Sequence, residues 1–595
     1  MGGIYVNGQY LVQPQANVSI ASTPQGAATN ASSRTLFLLG SATDGQPQTP
    51  ITVNSPAQAF SVFKDGNLVQ AAVYAFNGSP VAPGPSSITV LRVDEATQAT
   101  ANLQNGANTE ITLTSTSYGT LANLVKYQIA AGSSHGYKVT IASDYTGPAT
   151  TAASVSQDNV YLPVLSVYYS GTGTSPTVTV TDTQITYTAT TSDTGGSVTF
   201  TAGMTVQQLV NQLNQFTGWS TTVADPNPLD LLIPTDTVPG STTLSLPALL
   251  DNISSTTVST SASSPTTLYA NIAAVVRLLN NGTFQPWVTA VRAANATTLA
   301  DTTNWVYLAG GTVTAPASTD WQTGFNNLET VQGLGVVVPV TQATSATTSV
   351  GAMAVSHCEY MTGIGQQRIA ILGDQLGQTL AEEITNAQGY MSPLAVLRWP
   401  GFKTTGDIYG NQSLQPPYME AARTAGILVG SPPQQALTLL PVQALSLETS
   451  LSSSNIDSAI LGGICVTKQS ASGGFVIASG VTTWSNSTQF DKVNINSEVI
   501  EGVIIADLKQ VLEQQLVGFN SNLSPQTAAM AYGIVNQRLS YWASRGLLVG
   551  DSTNPPYSNI QVTVSSNAVQ VTANIHPANT TNFATVKLTA SPWTS

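Results

Sequence analysis

The sequence predicts a multidomain α/β (α+β) protein with an inserted, mostly β domain and extended β-strand arms at both termini. Three observations predict it. The chain has 595 residues, several times the roughly 100–200 of one domain. Towards both ends, unbroken apolar runs closed by glycine or proline alternate with stretches of helical spacing, the mark of buried strands and their covering helices. Between these blocks lies a long segment in which apolar and polar residues alternate with period two.

Residues 1–34 are polar, broken by Pro14, Pro24 and Gly26, and hold one short β-prone run, Asn17-Val18-Ser19-Ile20. They form no core alone and read as an arm. The core begins at Thr35-Leu36-Phe37-Leu38-Leu39-Gly40, a buried strand. Ser55-Pro56 supplies a helix cap and a first-turn proline. Leu68, Ala71, Ala72, Ala75 and Phe76 then recur at helical spacing before the strand Ser87–Val93. From 104 to 300 the pattern becomes that of the inserted β domain, as in Thr177-Val178-Thr179-Val180-Thr181, with one helix expected from Thr205 to Phe216.

The α/β pattern resumes at 301 and fills 301–490. Gly335–Val340 and Arg368–Gly373 read as buried strands, Leu376–Ala387 as a helix, and Ala395–Trp399 as a strand. Pro416–Ala425 reads as a helix that Gly426 closes in a left-handed turn. In 491–577, Ile500, Val503, Ile504, Leu508, Val511, Leu512 and Leu516 form one apolar helical stripe, and Tyr532, Val535, Leu539 and Trp542 form another. Strands at Ile560–Val564 and Val569–Thr572 follow. Residues 578–595 are a second arm, with the strand Ala584–Thr589.

Composition narrows function. Charged residues make up 8% of the chain, against roughly 25% in a typical soluble domain. No basic residue falls between Lys138 and Arg277. A net charge of −13 without a Lys/Arg cluster argues against a nucleic-acid partner. Contacts on such a surface draw on burial, backbone pairing and neutral hydrogen bonds. The start shows no secretory signal, and no apolar run reaches the roughly 18–20 residues of a membrane span.

Motifs for chemistry are lacking. Cys358 and Cys465 lack metal-ligand spacing and read as reduced, buried thiols. His135, His357 and His576 are far apart and fit no ligand motif. Gly132-Ser133-Ser134-His135-Gly136 matches a nucleophile elbow by letters. A strand rather than a helix follows it, so a turn is expected. The adjacent carboxylates Asp94-Glu95 and Glu382-Glu383 point apart and are expected on solvated faces. No catalytic residue, metal site or cofactor is expected.

Several stretches, in order, resemble the contractile bacteriophage tail sheath family. They are Leu36–Gly40 with Asp44-Gly45-Gln46-Pro47; Val306-Tyr307-Leu308-Ala309-Gly310-Gly311 ahead of Trp321, Phe325 and Leu328; Ala421–Gly426 with Ser431-Pro432; Leu461-Gly462-Gly463-Ile464; and the two C-terminal helices. The resemblance covers 35–103 and 301–595 and is weaker across the insertion. It implies a sheath-type core and a non-enzymatic subunit of the virion tail, assembled in the bacterial host cytoplasm. Such subunits stack as hexameric rings around an inner tail tube and contract to drive the tube through the host envelope. Implied partners are the chain itself, the tube protein, the baseplate and the tail terminator, with no nucleic acid and no membrane insertion. The alternative reading is the sheath of a pyocin-like or secretion-type contractile injection system. An adhesin or a virion glycan hydrolase fits the sequence less well. In the family, terminal arms add strands to neighbouring subunits; here the matching side chains are Val18 and Ile20, and Val586 and Leu588. The family also implies that the C-terminal helices face the tube. The first helix carries Glu498, Glu501, Asp507 and Glu513 against Lys509, so the candidate contacts are Lys509, Arg538 and Arg545.

Overall fold

A computed structural model of the chain describes residues 4–6, 9–11, 34–146, 154–190, 195–201, 204–224, 250–344, 349–485, 490–517, 525–565 and 568–580. They fall into two compact units: 1–95 with 315–595, and 96–314.

The first unit is built on a nine-stranded sheet. Six strands form its parallel centre: β1 (Thr35–Gly40), β2 (Ile88–Arg92), β3 (Gly335–Pro339), β4 (Arg368–Gly373), β5 (Ala395–Trp399) and β6 (Ile464–Gln469). Their spatial order is β6-β5-β4-β3-β1-β2, so the direction of winding reverses between β1 and β3. Short antiparallel strands close both margins, Ile51–Val53 beside β2, and Phe475–Ile477 with Pro441–Val442 beside β6. Parallel strands need cover on both faces, which explains their unbroken Val, Ile and Leu runs. Leu36 to Leu39, Val337, Val338 and Ile371 have no exposed surface. Each such side chain contributes about 1.5–3 kcal/mol by burial.

The covering helices of this unit are α1 (Asn67–Asn77), α2 (Ser318–Leu328), α3 (Val350–Gly363), α4 (Leu380–Tyr390), α5 (Pro417–Gly430) and α6 (Ser453–Leu461). α5 packs on α1, α2 on α3, and α4 on α6. Right-handed crossovers put α1 on the face opposite α3 and α4. The chain then runs through α7 (Ile495–Gln515), α8 (Pro525–Ser544) and a hairpin of β7 (Tyr557–Ser565) and β8 (Ala568–Ile575). Leu334, Ile504, Leu539, Trp542, Leu548 and Ile575 form a small separate core there.

Three local expectations need correction. The helix expected to close at Gly426 runs on to Gly430. Gly426 is a contact point rather than a stop: a Cβ there would collide with the Ala75 carbonyl of α1. The stretch expected to be helical from Leu376 starts only at Leu380. There Thr379 and Glu382 cap each other, the Glu382 carboxylate accepting the Thr379 N–H at 2.8 Å. Asp94 and Glu383, expected on solvated faces, are both buried. Asp94 faces inward because Arg92, also buried, bonds its carboxylate at 2.7 and 2.9 Å. Glu383 faces inward because it shares the inner stripe of α4 with Ala387.

The second unit spans 96–314 and is mostly β. Its limits lie outside 104–300 because Gln98–Asn105 pairs with Asn108–Tyr118, and Val306–Tyr307 pairs with Val125–Ala131. Period-two alternation turns Val178, Val180, Ile185 and Tyr187 into one core, where Tyr187 stacks on Trp219 at 4.4 Å. A second core gathers Ile129, Val139, Ile141, Val275 and Val288. The predicted helix forms at Val206–Leu213 behind a Thr205–Gln208 capping box. Helix Asn271–Leu279 begins after Ala270, which cannot cap, and Asp251 does it instead. Its carboxylate accepts the Asn271 and Ile272 N–H groups at 2.8 and 3.0 Å. Burial pushes the Asp251 carboxyl up to about 7 against those bonds.

Gly426→Val is expected to push α5 off α1 and lower unfolding stability by about 1–3 kcal/mol. Urea denaturation followed by circular dichroism checks it; an unchanged midpoint contradicts the close packing.

Candidate assembly surfaces

The C-terminal helices show how charge is handled in this chain. The first three turns of α7 are buried on every side, including Glu498 and Glu501. Two of the four acidic residues of this helix are therefore not on a free surface. Gln367 explains part of this embedding: its amide donates to the Glu498 carbonyl at 2.8 Å, lying where a side chain at Gly502 would stand. Of the second apolar stripe, Val535, Leu539 and Trp542 are buried, whereas Tyr532 is 46% exposed and Ala531 takes its place.

Asp507 joins the two helices. It accepts the Arg538 Nε and Nη2 at 2.8 and 2.5 Å, and the Trp542 indole N–H at 2.7 Å. Two parallel bonds from a planar guanidinium are the stronger form of an ion pair. The bonds to Asp507 hold the Arg538 guanidinium above its usual range. Arg538 and Arg545 both lie over the Tyr541 ring, at 4.5 and 5.0 Å. Lys509 turns the other way, donating to the Ile364 carbonyl at 2.7 Å beside the end of α3, with Glu513 at 3.9 Å. The structure thus brings Arg538 and Arg545 together on one ring and commits Lys509 elsewhere.

Val18, Ile20, Val586 and Leu588 lie outside the described residues. Near the start, Ile4–Val6 pairs antiparallel with Gln9–Leu11, a hairpin the sequence reading passed over. The hairpin β7–β8 forms from the two strands expected at Ile560–Val564 and Val569–Thr572. Among the described residues its strands pair only with each other. Neither strand carries a charged residue or a proline. Edge strands usually carry such residues to deter pairing with another chain. A single bulge near Asn559 is the only such device in this hairpin. That lack of charge was the signal available in the sequence.

The remaining candidates for chemistry are structural. Gly132–Gly136 is the turn between strands Val125–Ala131 and Tyr137–Ser143, and His135 stacks on Tyr161 at 5.0 Å. His357 is buried against Arg368; burial first, then that cation, pull its imidazole down to about 3. It therefore stays neutral and joins the Arg368 Nη1 at 2.8 Å. Cys358 and Cys465 are free and buried. At the winding reversal, where doubly wound sheets bind ligands, there is a cleft of about 420 Å³. It is lined by neutral groups such as Asn67, Ser318, Gln342, Gln375 and Tyr418. Among the described residues, no three His, Cys, Asp or Glu side chains converge on a metal position. No helix there is long and apolar enough to cross a membrane.

Asp507→Ala leaves a guanidinium and an indole N–H without their acceptor. It is expected to cost about 2–3 kcal/mol and to make α7 and α8 more susceptible to limited proteolysis; wild-type resistance contradicts the staple.

No family model matches the chain. It is 24% identical over 599 residues to a putative tail sheath protein of Enterococcus phage phiEF24C, covering 97% of this chain and 96% of that one. A tail sheath protein of Staphylococcus phage Twort is 31% identical over 111 residues, 19% of this chain and 18% of the relative. The fold is that of a solved sheath tail protein from Desulfitobacterium hafniense, with a TM-score of 0.53 at 10% identity over 95% of this chain and 97% of that one.

Proposed function

We propose that this chain is the structural subunit of a contractile tail sheath. It polymerises as stacked hexameric rings around an inner tail tube, and contraction of that lattice drives the tube through the host envelope. Similarity to a putative phage tail sheath protein along almost the whole chain supports the subunit identity. The observation that supports the mode of assembly is the uncharged β7–β8 hairpin, whose two outer edges pair with no other strand among the described residues.

An edge of this kind accepts an extended segment through main-chain hydrogen bonds, with alternate side chains entering pockets. The arm strands around Val18 and Ile20, and around Val586 and Leu588, are the segments that fit it. Residues 581–595 alone reach roughly 50 Å when extended, far enough to leave their own subunit. Each subunit then lends strands to its neighbours and receives theirs. Links of this kind keep subunits connected while rigid cores rotate from one packing to another. The inner tube, the baseplate and the tail terminator are the further partners of this reading. In this reading the tube-facing role goes to Tyr541 and Arg545 at the C-terminal end of α8, because Lys509 donates to the Ile364 carbonyl and Arg538 to Asp507.

Negative-stain microscopy tests the proposal. The full chain is expected to form hollow, ridged cylinders. Chains lacking 1–20 or 581–595 are expected to remain folded monomers by circular dichroism and gel filtration. Cylinders of normal length from both truncated chains would rule out strand exchange through the arms.

A further inference from the structure

In the first turn of α4, Glu383 has no exposed surface, and neither of its carboxyl oxygens has a hydrogen-bond partner. Three other carboxylates surround it. Each has partners. Asp374 accepts the Gln375 N–H at 2.8 Å and the Asn386 amide at 3.1 Å. Glu382 accepts the Thr379 N–H and hydroxyl, both at 2.8 Å. Glu448 accepts the Gly377 and Gly401 N–H groups at 2.5 and 3.0 Å. Tyr390, at the far end of α4, donates its hydroxyl to the Thr344 carbonyl at 2.5 Å.

The elements packed against α4 offer Glu383 no counter-charge. Arg398 of β5 is bonded to Glu420 at 3.3 Å and to Thr467 at 2.7 Å. Lys468 of β6 forms no ion pair with Glu383, and Asp457 of α6 is exposed and of the wrong sign. A carboxylate buried without a cation or a donor costs several kcal/mol, whereas the neutral acid buries far more cheaply. The surroundings of Glu383 therefore select its protonated form.

We propose that Glu383 is a proton-operated catch: as the neutral acid it seats α4 against β5, β6 and α6, and its ionisation loosens that seat. The route for loosening is present. On the outer side of the same helical turn, Asp374, Gln378, Glu382, Thr385 and Asn386 line a polar cleft of about 320 Å³. An ionised Glu383 gains hydration by turning towards that cleft, which withdraws it from the inner stripe it shares with Ala387. The inner side cannot yield instead, because Ile384 of the same turn is already packed closely against Gly462.

The sign of the pH effect follows. Burial, then Asp374, Glu382 and Glu448, push the Glu383 carboxyl up to about 9. Its ordinary value in the unfolded chain is roughly 4.3. The folded state therefore binds one more proton between those values. The stabilisation is complete below the unfolded value, falls as pH rises, and is gone above about 9.

The test compares the full wild-type chain with Glu383→Gln and, as a control, Glu382→Gln. Hydrogen exchange of residues 380–390, corrected for intrinsic rates, is read at pH 6 and pH 9. Wild type and Glu382→Gln are expected to lose protection in α4 at pH 9. Glu383→Gln is expected to keep it and to unfold at a higher temperature there. Equal pH dependence in all three overturns the catch. If Glu383→Gln does not fold, the infrared band of protonated carboxyl groups in wild type decides. A band that persists at pH 8, where Asp251 at about 7 is mostly ionised, and disappears above 9 supports the proposal; no band at pH 8 overturns it.

Discussion

A parallel sheet has to be covered on both faces, and most of the first unit follows from that requirement. It dictates strands of almost pure Val, Ile, Leu and Ala, and it forces the crossover helices into two layers. It also makes every polar group that enters the sheet dependent on a partner. Arg92, Arg368 and Arg398 are fully buried within it. Arg92 meets Asp94, Arg368 meets His357 and the Leu328 carbonyl, and Arg398 meets Glu420 and Thr467. A buried pair of this kind adds little net stability, whereas removing one partner is costly. Arg368 and Arg398 therefore pin the register of strand against helix, and Arg92 fixes the loop at Gly45 against its strand, more than they add strength.

Legibility in the sequence tracked how local each cause was. Leu36–Leu39, Val336–Val338 and Ile369–Leu372 announced themselves because a strand buried on both faces must be apolar at every position. Capped helices such as Val206–Leu213 were legible because their signals lie within four residues. What failed depended on something distant. Gly426 looks like a helix stop until Ala75 is known to lie against it. Glu383 looks like one of two solvated acids until the inner face of α4 is fixed. Asp94 was misread because nothing in the chain marks Arg92 as buried. Tyr532 was misplaced because Ala531, one residue earlier, completes the buried stripe equally well. Of the assembly features, the arms were proposed from family resemblance. The hairpin proposed as acceptor was readable from its own residues, as two strands without charge or proline.

The second unit solves its packing by other means. It has no basic residue between Lys138 and Arg277. Its interior relies on stacked aromatics such as Tyr187 on Trp219, and on neutral pairs such as the Tyr187 hydroxyl with Thr221 at 2.9 Å. Helix caps there come from Thr205 and Asp251. One of its cations, Arg292, is used inward: it bonds Asp182 at 3.0 Å, and Asp182 also takes the Asn295 N–H and the Asn252 amide. One aspartate thus ties together segments more than a hundred residues apart.

The uncharged β7–β8 hairpin bears on the conditions a polymer of this chain tolerates. Ion pairs at an exposed interface weaken as dissolved salt screens them over about 8–10 Å. Main-chain hydrogen bonds between strands carry no such dependence. If the proposed strand exchange joins subunits along that hairpin, that joint is far less sensitive to dissolved salt than one held by ion pairs.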